Sequence, residues 1–191
     1  VGTISSGLNK LNRETGTFTR YRHNPNDVSS LGGDGILALY EDESGALWVS
    51  NSGGLNEFDP QKNKFVSHYT TKEGLPDIMV TSIQQDTQGN FWLGTQNGIS
   101  KFNPAAGTFR NYNVEDGLQG NTFNLYSATT KSQSGELLFG GSNGFNAFYP
   151  NRITDNSDIF PVFITDLQLA NKPVSIAEDS VLKKSILETE D

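Results

Sequence analysis

The 191 residues are 34% hydrophobic and 10% aromatic, with the apolar residues in short runs, which excludes a disordered chain. Fourteen basic against 22 acidic residues leave a net charge of −8; with no dense basic patch to offset it, such a surface repels a phosphate backbone and no nucleic acid partner is expected. The absence of cysteine removes disulfides, thiolate metal sites and cysteine nucleophiles, and no run approaches the ~18–20 apolar residues of a membrane helix.

In chain order, Val1-Gly2-Thr3 aligns with Val49-Ser50-Asn51 and Leu93-Gly94-Thr95, so the chain is expected to enter at the end of a repeat's second strand. Gly7-Leu8-Asn9-Lys10-Leu11 follows, then Phe18-x-x-Tyr21. The same Gly-apolar-x-x-(Leu/Phe) block returns at Gly54, Gly98 and Gly144, at steps of 47, 44 and 46 residues. Phe65-x-x-x-Tyr69 and Phe109-x-x-Tyr112 echo the aromatic pair. Upstream of three of these glycines lie Leu47-Trp48-Val49, Phe91-Trp92-Leu93 and Leu137-Leu138-Phe139, each preceded by an apolar run: Ile36 to Tyr40, Met79 to Ile83, and Phe123 to Ala128. Each unit thus holds four segments of strand length separated by Gly, Asn, Asp or Pro. Four strands per ~45 residues is the spacing of a propeller blade. Helical solenoids need apolar residues at i, i+3, i+4 and i+7 over ten or more residues, and glycine or proline interrupts every candidate. A β-sandwich would not repeat one motif four times.

The fold class expected is therefore all-β: a β-propeller fragment of four-stranded blades over residues 1–150, its ring incomplete. Complete blades are expected near 34–69 and 78–112. The third, near 122–148, has three strands, the first drawn from Phe123 to Ala128, and lacks the Phe-x-x-Tyr strand. It is read as the final blade, its outer strand borrowed from elsewhere in the ring or left unpaired. Trp48 and Trp92 are expected to fill the gaps between blades. Asp42-x-x-Gly45 and Asp86-x-x-Gly89 read as tight turns in which Asp bonds its own backbone; a Ca²⁺ loop would need more oxygen ligands at Asp-x-Asp-x-Asp spacing, and no metal site or cofactor is expected. A linker over 151–160 then leads to a strand from Phe160 to Leu169 and to Asn171-Lys172-Pro173-Val174, the opening of a second β domain over 161–191.

The repeat from Asp42 to Leu55 and from Asp86 to Ile99 resembles the two-component regulator propeller repeat. Glu73-Gly74-Leu75-Pro76 and Asp116-Gly117-Leu118 are similar to its connections between blades. Leu138 departs from it where Trp would stand, as a terminal blade can. The segment from Phe160 to Val174 resembles the first strand of the triple-tyrosine immunoglobulin-like sandwich that follows such propellers. The resemblance implies the periplasmic part of an inner-membrane, membrane-anchored hybrid sensor whose cytoplasmic histidine kinase and response-regulator parts lie outside these 191 residues. It also implies an oligosaccharide ligand, control of transcription by that kinase, and no catalysis by this fragment. Signalling by rearrangement within a homodimer of the full sensor is expected.

Loops joining second to third strands, and those joining blades, share one face of a propeller. They carry Asn51, Ser52, Asp77, Gln96, Asn97, Gln119, Asn121, Ser142 and Asn143, which are the candidate ligand contacts, since amides and hydroxyls both donate to and accept from sugar hydroxyls. The same residues also favour turns for backbone reasons alone. His23 and His68 fall at or after outermost strands and are expected at the surface. A propeller lyase, which would want a channel-facing histidine, and a protein-interaction scaffold are the alternatives.

Overall fold

The computed structural model describes residues 1–124, 128–154, 168–169 and 172–173. It divides into two compact units, Val1–Ile153 and Thr154–Asp191. In the second, Gln168–Leu169 pairs antiparallel with Lys172–Pro173; the rest of the expected linker and immunoglobulin-like strand lies outside the described residues.

The first unit is a fan of antiparallel sheets. A half-blade holds β1 (Leu8–Leu11) and β2 (Phe18–Tyr21). Blade one holds β3 (Ile36–Glu41), β4 (Leu47–Asn51), β5 (Gly54–Asp59) and β6 (Lys64–Tyr69) in sequential order. Blade two repeats the meander with β7 (Val80–Gln85), β8 (Phe91–Thr95), β9 (Gly98–Asn103) and β10 (Thr108–Tyr112). Blade three has β11 (Thr129–Lys131), β12 (Leu137–Gly141) and β13 (Gly144–Phe148). Inner strands adjoin, β3 beside β7 and β7 beside β11. Gly2 bridges Leu8, the pairing that Ser50 makes with Leu55 in blade one.

Aromatic side chains fill the space between blades, because sheets stacked face to face leave a gap of about 10 Å. Trp48 is buried against Tyr69, Phe91 and Phe102, with ring centroids 6.2, 4.6 and 5.8 Å away. Trp92 does the same against Tyr112 and Phe148, at 5.6 and 4.8 Å. Aromatics supply this area at low entropy cost and add about 0.5–1.5 kcal/mol per ring pair beyond burial.

The first strand of blade three differs from expectation. Among the described residues, Phe123 bridges Gly141 and strand pairing runs from Thr129, opposite Phe139. The step from Phe123 to Thr129 is six residues against two from Gly141 to Phe139, whereas the step from Val80 to Ile83 is three against two from Thr95 to Leu93 in blade two. The Asn124 amide and the Ala128 carbonyl both bond Gly140, so the register differs from the small shift of the other inner strands. Residues 125–127 of that run lie outside the described residues.

Candidate functional site

Hairpins joining second to third strands turn at the end of each blade where the inner strand begins: Asn51 opposes both Ile36 and Gly54, and Thr95 opposes both Val80 and Gly98. Segments entering each blade run past the same end. The Ser52 amide donates to Gly35 and the Ser142 amide to Thr122. The nine candidates therefore share one end of the fan, as the spacing implies.

The repeat glycine closes this end. Gly7, Gly54 and Gly98 have φ of 74°, 111° and 99°, and a β-carbon on each would collide with the carbonyl oxygen of Tyr21, Tyr69 or Tyr112. Only glycine takes such a φ and leaves this space free. Its amide then reaches the segment entering the next blade, Gly7 donating to Asp34 and Gly98 to Asn121.

Several candidates are occupied by this architecture. Asn51 is fully buried, and its Oδ1 accepts the Gly53 amide at 2.7 Å. Thr95 holds the matching turn in blade two, donating to Gly98 and accepting from Asn97. Gln96 donates to the Phe123 carbonyl at 2.9 Å. Asn121 Oδ1 accepts the Val114 amide at 3.0 Å, and Asp77 Oδ1 accepts Met79 at 2.7 Å.

The others offer polar groups outward. Ser52, Asn97, Ser142 and Asn143 are exposed; Asn97 also donates to Pro76 at 3.3 Å. Gln119 is the unusual member. Both polar atoms of its amide are buried with no hydrogen-bond partner, and the amide packs on Gly141, where a β-carbon would collide with it. Leaving such a group unsatisfied costs about 1–3 kcal/mol. Asn143 lies beside it, 3.4 Å from the β-carbon position of Gly120. The structure thus gathers Gln119, Ser142 and Asn143 at the mouth of blade three, with Ser52 and Asn97 at the matching turns of blades one and two.

Two features carry more than their sequence positions suggest. His68 is a half-buried buttress rather than a simple surface residue. Its Nδ1 lies 2.6 Å from Asn56 Oδ1 and its Nε2 2.9 Å from the Val28 carbonyl oxygen. The Asn56 amide is fixed, because its Nδ2 faces the Val49 and Gly54 carbonyls and its oxygen accepts from Gly32. Asn111 occupies the same place in blade two, accepting from Ser100 and donating to Gly74. His23 Nδ1 contacts the Leu31 carbonyl at 2.8 Å. Both histidines of the chain are therefore tied to the outer loops.

The turn aspartates hold the tryptophans as well as their own turns. Asp42 accepts the Trp48 indole at 2.8 Å and Asp86 the Trp92 indole at 2.9 Å. Burial opposes ionisation of Asp42, but the Ser44 hydroxyl, the Trp48 indole and the Ala46 and Ser44 amides together hold its carboxyl below the usual aspartate range. Blade three has Leu138 in place of Trp, and Ser132 in place of Asp, bonding Glu136. No cluster of potential metal ligands occurs among the described residues.

Residues 74–97 match the model of the two component regulator propeller. The match has the length of a single repeat. The repeat spans the entry to blade two, β7 and β8. Solved structures share the surrounding fold. The extracellular domain of BT3049 from B. thetaiotaomicron, described as a hybrid two component system, is 24% identical over 80% of this chain and 20% of its own, with a TM-score of 0.69. The corresponding domain of BT4673 is 23% identical over 79% and 21%, at 0.66. A virginiamycin B lyase from Staphylococcus aureus, solved with quinupristin, is 18% identical over 75% and 49%, at 0.51. The chain spans about a fifth of the length of the first two. No curated protein sequence matches it. These likenesses establish the fold as that of a β-propeller. Since the fold occurs in a lyase too, function has to be argued from the site.

Proposed function

We propose that this chain is part of the extracytoplasmic ligand-sensing region of a hybrid two-component sensor, and that it is not itself catalytic. The observation that carries the reading is the two-component regulator repeat at 74–97, set in a fold shared with extracellular domains of two such systems. No helix among the described residues is long and apolar enough to cross a membrane, so in this reading the anchor and the histidine kinase belong to other parts of the protein, with the propeller on the periplasmic side of the inner membrane.

The ligand proposed is an oligosaccharide. Its contacts would be Gln119, Ser142 and Asn143 at blade three, with Ser52 and Asn97 at the neighbouring turns. The unpaired Gln119 amide supports this, since a sugar hydroxyl satisfies both its donor and its acceptor at once. Asn51, Asp77, Gln96 and Asn121 would act beneath them by fixing the turns. Signalling requires that the ligand bind two arrangements of the sensor, in this reading a homodimer, with unequal affinity.

Titration calorimetry of the complete extracytoplasmic region against a panel of glycan fragments tests the proposal. A saturable heat for one fragment, weakened at least tenfold by Gln119→Ala, supports it; no binding across the panel overturns the sugar reading. The lyase alternative has a fold likeness in its favour, but both histidines sit against outer loops, away from the candidate contacts.

A further inference from the structure

We propose that His68 is a proton-dependent latch on the loop that enters blade one. Its doubly protonated ring holds residues 28–32 to β5 and β6, and its neutral ring releases Val28.

Both ring nitrogens face acceptors. Nδ1 lies 2.6 Å from Asn56 Oδ1 and Nε2 2.9 Å from the Val28 carbonyl oxygen. Asn56 cannot turn its amide over to offer a donor, because its Nδ2 donates to the Val49 and Gly54 carbonyls and its Oδ1 accepts the Gly32 amide. The Val28 carbonyl has nothing to donate. A neutral imidazole carries one N–H and one bare nitrogen, so either tautomer sets a lone pair against an oxygen. Only the imidazolium fills both contacts.

The other repeats point the same way. On the outer strands this position is Arg20, His68 and Asn111, opposite Asn9, Asn56 and Ser100. Where the partner is an asparagine, the outer residue is a cation or can become one: Arg20 Nε donates to Asn9 Oδ1 at 3.3 Å. Where the partner is Ser100, its hydroxyl donates to Asn111 Oδ1, and the Asn111 amide donates to Gly74 in the segment entering blade two. Blade two thus makes the same connection with groups that do not titrate.

The loop has two further anchors on blade one, the Phe65 amide donating to the Ser29 carbonyl and the Gly32 amide donating to Asn56. Val28 is 91% exposed while Leu31 is fully buried, so the tip can leave without unseating the loop. His23 Nδ1 meets one acceptor, the Leu31 carbonyl, which a neutral ring satisfies. The charged groups nearest in the loop and strands are Asp27, Glu57 and Lys64. The Ser29 hydroxyl and amide hold the Asp27 carboxyl below the usual aspartate range, so Asp27 stays charged where histidine titrates. Glu57 accepts the Ser67 hydroxyl, and the ion pair among the described residues joins Lys62 to Asp59, not a carboxylate to His68. The hold is therefore present in mild acid and is lost as pH rises through the histidine range. Asp27, Ser29 and Leu31 also wall a cavity of about 330 Å³ with Arg22, Asn63 and Lys64, so the latch governs one side of the groove between the half-blade and blade one.

The test follows the 191-residue chain by NMR between about pH 5 and pH 8, with His23→Gln to assign the His68 ring. Two ring N–H signals are expected for His68 in mild acid, and the Ser29 amide, whose peptide carries the Val28 carbonyl, should shift together with the ring. The melting temperature should fall by about 2–4 °C over the same range, as for loss of one hydrogen bond. The double variant Asn56→Ser, His68→Asn, which copies the blade-two pair, should abolish that fall. A His68 ring that is neutral in mild acid overturns the proposal, as does a Ser29 amide that ignores the ring, or an unchanged pH profile in the double variant. Should that variant fail to fold, the ring and Ser29 signals of the parent chain decide alone.

Discussion

Asp42 and Asp86 each unite a turn with a blade interface through one carboxylate, and the sequence alone shows only the first of these jobs. Blade three supplies the internal control: where the tryptophan becomes Leu138, the aspartate becomes Ser132, because no indole N–H remains to be satisfied. Two predictions belong here. Because the folded Asp42 carboxyl titrates below the ordinary aspartate value of 3.8, its contribution is present above that value and is lost as pH falls through the lower folded value. Asp42→Asn should therefore lower the melting temperature at pH 7 and converge on the parent in acid below about pH 3.8, read from melting curves across pH. In blade two, Trp92→Leu should cost about 3–4 kcal/mol, in the range for large-to-small core changes. Asp86→Ser should cost less in that background than in the parent, with a coupling of about 0.5–3 kcal/mol in a denaturation cycle. Additive costs would disprove the pairing.

At the scale of the element, the repeat glycine explains why the strand count was legible in the sequence while the blade-three pairing was not. The 47-, 44- and 46-residue steps follow from a position where φ is positive in all four repeats and where, in the first three, a tyrosine carbonyl also leaves no room for a β-carbon, so glycine marks it. The register difference between the Phe123 bridge and Thr129 left no such mark, because an apolar run does not by itself set register against the neighbouring strand. The candidate contacts were legible by position but not by role: Asn51 and Asn143 are both asparagines at hairpin turns, and only the packing shows the first buried and the second exposed. His68 gave no signal because its partners, Asn56 and Val28, lie 12 and 40 residues away. The glycines also yield a paired prediction. Gly98→Ala must distort both φ and the β9–β10 contact, at a cost above the ~1–2 kcal/mol of a left-handed L-residue, whereas Gly144→Ala, with open space at its β-carbon, should cost no more than that. Urea denaturation of the two variants side by side checks the difference.

For the whole propeller unit, stability should be graded along the fan, because each blade buries its faces mainly against its neighbours, as in other repeat architectures. Blade two has a blade on both sides, and every residue of β8 is buried. The half-blade has a neighbour on one side only; three of four residues in β1 are at least partly exposed, and so are all of β2. The tail end is intermediate, since β12 is covered by Trp92 and Phe148 on one side while β13 is largely open. Native-state hydrogen exchange resolves such gradients, since local openings range from near zero up to the global free energy. Amides of β8 and β9 should exchange only through global unfolding, those of β13 earlier, and those of β1 and β2 first. Uniform protection along the whole fan would show instead that the blades unfold as one unit, with interfaces stronger than the edges they leave exposed.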